Sequence, residues 1–224
     1  MTFKIIILIA VSVMCNVLAW ADSKQTFDKN VALKILQKEA AQQGYQVQKE
    51  KSDFKKWEHG PRSDLYVGVV ASESLSNDLM FWIGIFKQTA TGPVLVDARA
   101  DVFEGVDMPW DYSISLDFAP FRLNARETAF GVRYHNYYHS TARSEMSETL
   151  YLYRFWDDHL YPIFNVITVE EGSDMDGNHD FSHHLILIMS TKAHNGFFDL
   201  VVKDKKTKKT HVSCWNGSAY VDCK

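Results

Sequence analysis

The chain has 224 residues, 46% hydrophobic and 13% aromatic, with 28 acidic against 24 basic side chains for a formal net charge of −4. That length suits one large or two small domains, and the aromatic content is enough for a sizeable core. A mildly acidic chain has no general attraction for nucleic acid or for an anionic lipid surface, which excludes function classes built on either.

Residues 1–21 read as a signal peptide. Lys4 supplies the positive start, Ile5 to Ala10 begin the apolar run, and Ala19-Trp20-Ala21 is a small-x-small cleavage site. The run is too short for a membrane anchor. Met14 stands before Cys15, where a lipoprotein signal wants a small residue, so simple cleavage after Ala21 is expected. The predicted product is periplasmic or secreted and carries no transmembrane anchor. Cleavage removes one base, Lys4, and no acid, so residues 22–224 carry 28 acids against 23 bases, or −5. Of three cysteines, Cys15 leaves with the leader, and an even pair in an oxidising compartment predicts a disulfide between Cys214 and Cys223.

Taken in order, residues 22–224 read as a single mostly-β domain with one N-terminal helix. Asp28 is placed to cap a helix over about 29–43, with Gly44 as the stop. Its expected inner face is Val31, Ile35, Leu36 and Ala40. From Tyr45 to Glu50 the period changes to two, as on a half-exposed edge strand, and the polar stretch from Lys51 to Arg62 reads as a loop. β signals then dominate: Asp64–Ala71, Leu79–Gln88, Pro93–Val102, Tyr112–Phe118, Thr128–Tyr138, Leu150–Trp156, Leu160–Val169, Leu185–Ser190, Phe197–Lys203 and a last hairpin of Thr210–Trp215 with Tyr220–Cys223. Turns are expected at Thr89–Gly92, at Asp157-Asp158, at Ala193–Gly196 and at the basic tip Lys205–Lys209. Trp156…Tyr161 and Trp215…Tyr220 share the pattern Trp, two turn residues, two spacers, Tyr. Such an echo fits blade-like repeats, so antiparallel hairpins in a small propeller-like arrangement or in a sandwich both remain open.

The stretch with recognisable site chemistry is Glu170 to His184. Asp174, Asp176 and Asp180 recur with Gly177 after the second aspartate. Calcium takes about six to eight hard oxygen ligands, and a tight turn lets one loop supply several. Asp174, Asp176 and Asp180 fit positions three, five and nine of an Asp-rich calcium loop, and Asn178 would give its backbone carbonyl at position seven. Gly172 stands where the first aspartate is expected, with Glu170 and Glu171 as substitutes. This spacing resembles the calcium loops of FG-GAP/VCBS-type β-propeller repeats. An acidic, solvated turn is the competing reading.

The exported, acidic, disulfide-stapled chain with a calcium-type loop also resembles periplasmic lysozyme-inhibitor-type immunity proteins. That resemblance implies a protein partner such as a cell-wall hydrolase, a structural calcium, and contact through loops such as His135–Met146 or Glu104–Asp111. His179, His183 and His184 sit beside the aspartates, but strand alternation turns His183 and His184 to opposite faces. No nucleophile elbow, zinc-protease helix or phosphate-cradling loop is present. Paired acids stand at Glu104/Asp107 and Asp157/Asp158, but acids are common in exposed loops and spacing alone does not mark a perturbed pair. A binding protein therefore leads, with a metal-dependent hydrolase of the cell envelope or a structural envelope protein as alternatives.

Overall fold

A computed structural model describes residues 26–74, 79–103, 111–139, 144–173 and 180–223. The predicted leader lies outside the described residues, as do Glu104, Asp107, Asp174, Asp176, Asn178 and His179. The elements are α1 (Lys29–Gln42), β1 (Tyr45–Lys56), β2 (Leu65–Ser74), β3 (Leu79–Thr89), β4 (Gly92–Val102), β5 (Asp111–Arg122), β6 (Thr128–His139), β7 (Ser144–Trp156), β8 (His159–Ser173), β9 (Asp180–His194), β10 (Phe197–Asp204), β11 (Thr210–Trp215) and β12 (Tyr220–Asp222). Among the described residues no helix is long and apolar enough to cross a membrane.

The strands form two antiparallel sheets in simple meander order, β1 to β4 in one and β5 to β12 in the other. The chain takes the sandwich alternative and not the propeller-like one. The supposed repeat explains why. In the last hairpin Trp215 and Tyr220 are directly paired, with ring centroids 5.3 Å apart. In the earlier copy Trp156 pairs with His159, while Tyr161 pairs with Arg154. The tight turn at Asp157 and Asp158, both at positive φ (51° and 60°), closes that hairpin two residues sooner. The shared spelling therefore does not give a shared unit.

Period-two alternation sorts the core into layers. Phe130, Val132 and Tyr134 of β6 and Tyr151, Tyr153 and Phe155 of β7 pack against Leu65, Val67, Val69, Phe81, Ile83 and Ile85 of β2 and β3. The intervening residues Leu150 and Leu152 face the other way and meet Leu200, Trp215 and Tyr220. β9 makes this possible. Its start, Asp180 to His184, pairs with β8, whereas Leu185 to His194 pairs with β10. The second sheet thus folds back across its own outer face. The backbone N–H of Phe198 donates to Leu123 O at 2.7 Å, and Tyr220 Oη donates to Phe198 O at 2.8 Å.

α1 covers the outside of the first sheet. Asp28 Oδ1 accepts from the N–H groups of Asn30 (2.9 Å) and Val31 (3.1 Å), and Gly44 at φ 84° ends the turn. The buried stripe is Ala32, Leu36 and Ala40 against Phe54, Val70, Trp82 and Phe86. Val31, expected on the inner face, is 40% exposed. Leu36 and Ala40 are buried as expected and Ile35 packs beside them, while Ala32 takes the buried place expected of Val31.

The expected loop from Lys51 is a correction: β1 runs on to Lys56 beyond a bulge between Gln48 and Ser52. Its polar side chains reach from the edge of the first sheet to the edge of the second. Lys51 Nζ meets Asp111 Oδ1 at 2.6 Å and lies 4.6 Å from the Tyr112 ring centre. Lys55 Nζ donates to Leu116 O at 2.9 Å, while Asp53 Oδ2 accepts from Leu116 N at 2.9 Å. On the opposite flank Asp97 of β4 accepts from Leu160 N of β8 at 2.7 Å.

Tyr153 is fully buried and donates to Asp101 Oδ2 at 2.8 Å. Burial first, and the Asp101 charge second, push its hydroxyl well above the usual tyrosine range. Burial likewise raises Tyr112, Tyr134 and Tyr220. The folded state therefore favours the protonated phenols, and the stability this contributes is fully present below the unfolded tyrosine pKa of about 10 and is lost as pH rises from there through the raised folded-state values. Urea midpoints measured from pH 8 to strongly alkaline pH should hold to about pH 10 and then fall.

Candidate functional site

Strand register brings several polar and aromatic side chains to one end of the second sheet. Asp111 pairs with Tyr137, Tyr137 with Met146, His139 with Ser144, Met146 with Glu171, and Ser173 with Asp180. The terminal residues of β5 to β9 therefore lie side by side. Tyr137, Tyr138 and Met146 are 45%, 37% and 39% exposed. Tyr137 and Tyr138 point to opposite faces, so exposure of both means that this end of the β6–β7 hairpin stands clear of the layers on either side. His139 lies parallel to the Tyr137 ring, at 6.4 Å between centroids and 10° between planes.

A charged network stiffens the base of that tip. Arg133 Nε donates to Asp117 Oδ2 at 2.7 Å, and its other arm bonds to Glu148. Glu148 also accepts from the Thr168 hydroxyl and lies 3.4 Å from His135 Nδ1. Asp117 and Glu148 are each 15% exposed, so the fork of Arg133 joins two partly desolvated carboxylates. Both carboxylates are committed to a cation, which suits a rigid platform better than acid–base chemistry.

Asp180 is described, exposed, and paired with Ser173 across β8 and β9. Glu171, one of the two expected substitute ligands, bonds to His184 Nε2. His183 Nδ1 approaches Asp204 Oδ2 at 3.9 Å, on the opposite face from His184, as alternation requires. The basic tip after Lys203 is a capped turn: Asp204 Oδ1 accepts from the N–H groups of Thr207 and Lys206, both at 2.7 Å. The Thr207 N–H leads in holding the Asp204 carboxyl below its ordinary range.

At the other end of the molecule a cleft of about 640 Å³ is lined by Pro61, Asn124, Arg126, Glu127, Phe155 and Trp156. Its wall is fixed by Arg154. That guanidinium carbon lies 4.6 Å from the Trp156 ring centre, 5.0 Å from Phe197 and 5.8 Å from Trp215, and Nε donates to Glu127 Oε2 at 2.7 Å.

Cys214 and Cys223 are joined as predicted, with Cα atoms 5.1 Å apart. What the sequence reading missed lies beside them. His194 Nδ1 is 2.6 Å from Asp199 Oδ1 and 3.2 Å from Cys214 Sγ. His194 and Asp199 flank the Asn195-Gly196 turn, and Asp199 sits in the register shift between Phe198 and Leu200. The bulge aims its side chain at His194. The signal was a histidine and an aspartate either side of an Asn-Gly turn, yet nothing in the spacing marks where a bulge falls. No family model, curated protein or solved structure matches the chain.

Proposed function

We propose that the protein is an exported binding protein that engages a protein partner through the open end of the β6–β7 hairpin. The observation that carries this reading is the exposure of Tyr137, Tyr138 and Met146 together on a tip backed by the Arg133 network. Aromatic residues and methionine are enriched where proteins meet, and a rigid support lowers the ordering cost of binding. The disulfide suits an oxidising compartment, in line with the leader read in residues 1–21. A cell-wall hydrolase is the partner class that the resemblance to immunity proteins suggests, and the same resemblance suggests a structural calcium at Asp174, Asp176, Asn178 and Asp180.

The test is capture of partners from a periplasmic extract, followed by inhibition of peptidoglycan hydrolases. The wild-type protein should retain a hydrolase and slow it. A Tyr137→Ala/Met146→Ala variant should bind at least about tenfold more weakly at unchanged melting temperature, since truncating two central anchors costs on the order of 2 kcal/mol or more. Equal capture by both proteins, or no inhibition of any of several hydrolases, refutes the reading.

A further inference from the structure

The corner formed by β9, β10 and β11 holds three donors of different chemistry: a histidine nitrogen, a carboxylate oxygen and a cysteine sulfur. These atoms all lie within 4.8 Å of one another. Asp199 is 3% exposed at its side chain and His194 is 55% exposed, so the cluster runs from a buried carboxylate to an imidazole open to solvent. In the oxidised chain Cys214 Sγ is bonded to Cys223 and has no thiolate to offer a metal, because the thiolate is the ligand form. Once reduced, the two cysteines would add two sulfur donors to the nitrogen and the oxygen.

We propose that reduction of the Cys214–Cys223 disulfide turns this corner into a zinc site, with His194, Asp199, Cys214 and Cys223 as its four ligands. Zinc in structural sites is four-coordinate and takes this mixture of N, O and S donors, whereas calcium and magnesium want oxygen alone. Tetrahedral zinc with bonds of about 2.0–2.1 Å to N and O and about 2.3 Å to S separates an N–O pair by about 3.3 Å and an N–S pair by about 3.6 Å. The His194–Cys214 separation of 3.2 Å is already close to that, and the His194–Asp199 pair, at 2.6 Å, must open by less than an ångström. Such a movement is available to the exposed His194 ring while Asp199 stays in its bulge. The Cys214–Cys223 pair must part, which reduction permits. All four positions are filled by protein, so the site is structural and not catalytic.

The redox step balances with a dithiol as reductant. Its thiolate attacks the sulfur of the exposed Cys223, forming a mixed disulfide and releasing Cys214 beside His194. The second thiol of the reductant then displaces Cys223. Two electrons pass to the protein, the dithiol becomes a disulfide, and both cysteines are free. Binding of Zn²⁺ releases the two thiol protons to solvent.

Cobalt(II) is the probe, added to the full chain either oxidised or reduced with a phosphine that leaves no competing thiol. The reduced chain should bind one cobalt with thiolate-to-metal charge-transfer absorption and tetrahedral visible bands, and zinc should abolish both. The oxidised chain should show neither. His194→Ala and Asp199→Asn should each weaken binding about tenfold or more, and the Cys214→Ser/Cys223→Ser variant should lose the charge-transfer band while keeping the β-sheet circular dichroism. The proposal is overturned if oxidised and reduced chains bind alike. It is equally overturned if His194→Ala and Asp199→Asn bind as the reduced wild type does, including the case in which reduction unfolds the chain and the thiols bind metal unaided.

Discussion

Replacement of Phe130 by alanine should lower the free energy of unfolding by about 3–5 kcal/mol, the cost of emptying a large aromatic site in a packed core. Phe130 is fully buried between the two sheets. Its ring meets Trp57 edge-on at 4.9 Å between centroids, Phe118 at 6.2 Å and Tyr153 at 5.7 Å. Phe118 and Tyr153 are held in β5 and β7, and Trp57, which follows β1, donates its N–H to Leu65 O at 3.0 Å, so the neighbours are fixed and do not readily fill the space. Phe130→Leu should cost clearly less, because it restores most of the lost volume. Urea unfolding followed by circular dichroism separates the two variants. If alanine costs under 1 kcal/mol, the layer between the sheets is not close-packed at this point.

Replacement of Arg154 by alanine should cost about 2–4 kcal/mol. The side chain is 16% exposed and Glu127, its partner, 20%, so the pair is largely but not wholly withdrawn from water. Losing the guanidinium takes the cation from Glu127, whose other oxygen keeps the Asn124 amide, and from among Trp156, Phe197 and Trp215. Arg154→Lys should recover only part of the loss, since an ammonium lacks the planar fork that both stacks and bonds. Chemical denaturation gives the stability. A shift in tryptophan emission would report the freed Trp156 and Trp215 rings. An effect below about 1 kcal/mol would mean that solvent screens the pair as it does at open surfaces.

The β content and most strand positions were legible because alternation and turn residues are local. Asn195-Gly196 and Asp157-Asp158 announce their hairpins, and Asp28 and Gly44 bracket the helix. The arrangement was not legible, because it depends on which face meets which layer. Leu150 and Tyr151 are both apolar, so β7 has no polar face to show that it is covered on both sides. The Lys51–Lys56 segment looked like a loop because its stabilising partners, Asp111, Tyr112 and Leu116, lie some sixty residues away. Cys214 and Cys223 could be paired by counting, but the His194–Asp199 pair depends on a bulge that composition does not reveal. The exposed tip was half legible. The segment His135–Met146 stood out as a candidate contact loop, while the pairing of Tyr137 with Met146 needed the register.

The edge of β5 carries a further consequence. A strand at the margin of a sheet presents open N–H and C=O groups on which another chain can build. At Leu116 both are already taken, the N–H by Asp53 and the C=O by Lys55, and at Tyr112 the C=O is taken by Lys51. Two residues apart on β1, Asp53 and Lys55 act with their side chains as the next strand would act with its backbone. They supply one acceptor and one donor at a single rung, and they add no new edge in doing so. At this margin the sheet is ended by imitation: an intruding strand would find the rung occupied and would have to displace a carboxylate and an ammonium to recruit the protein into a larger assembly.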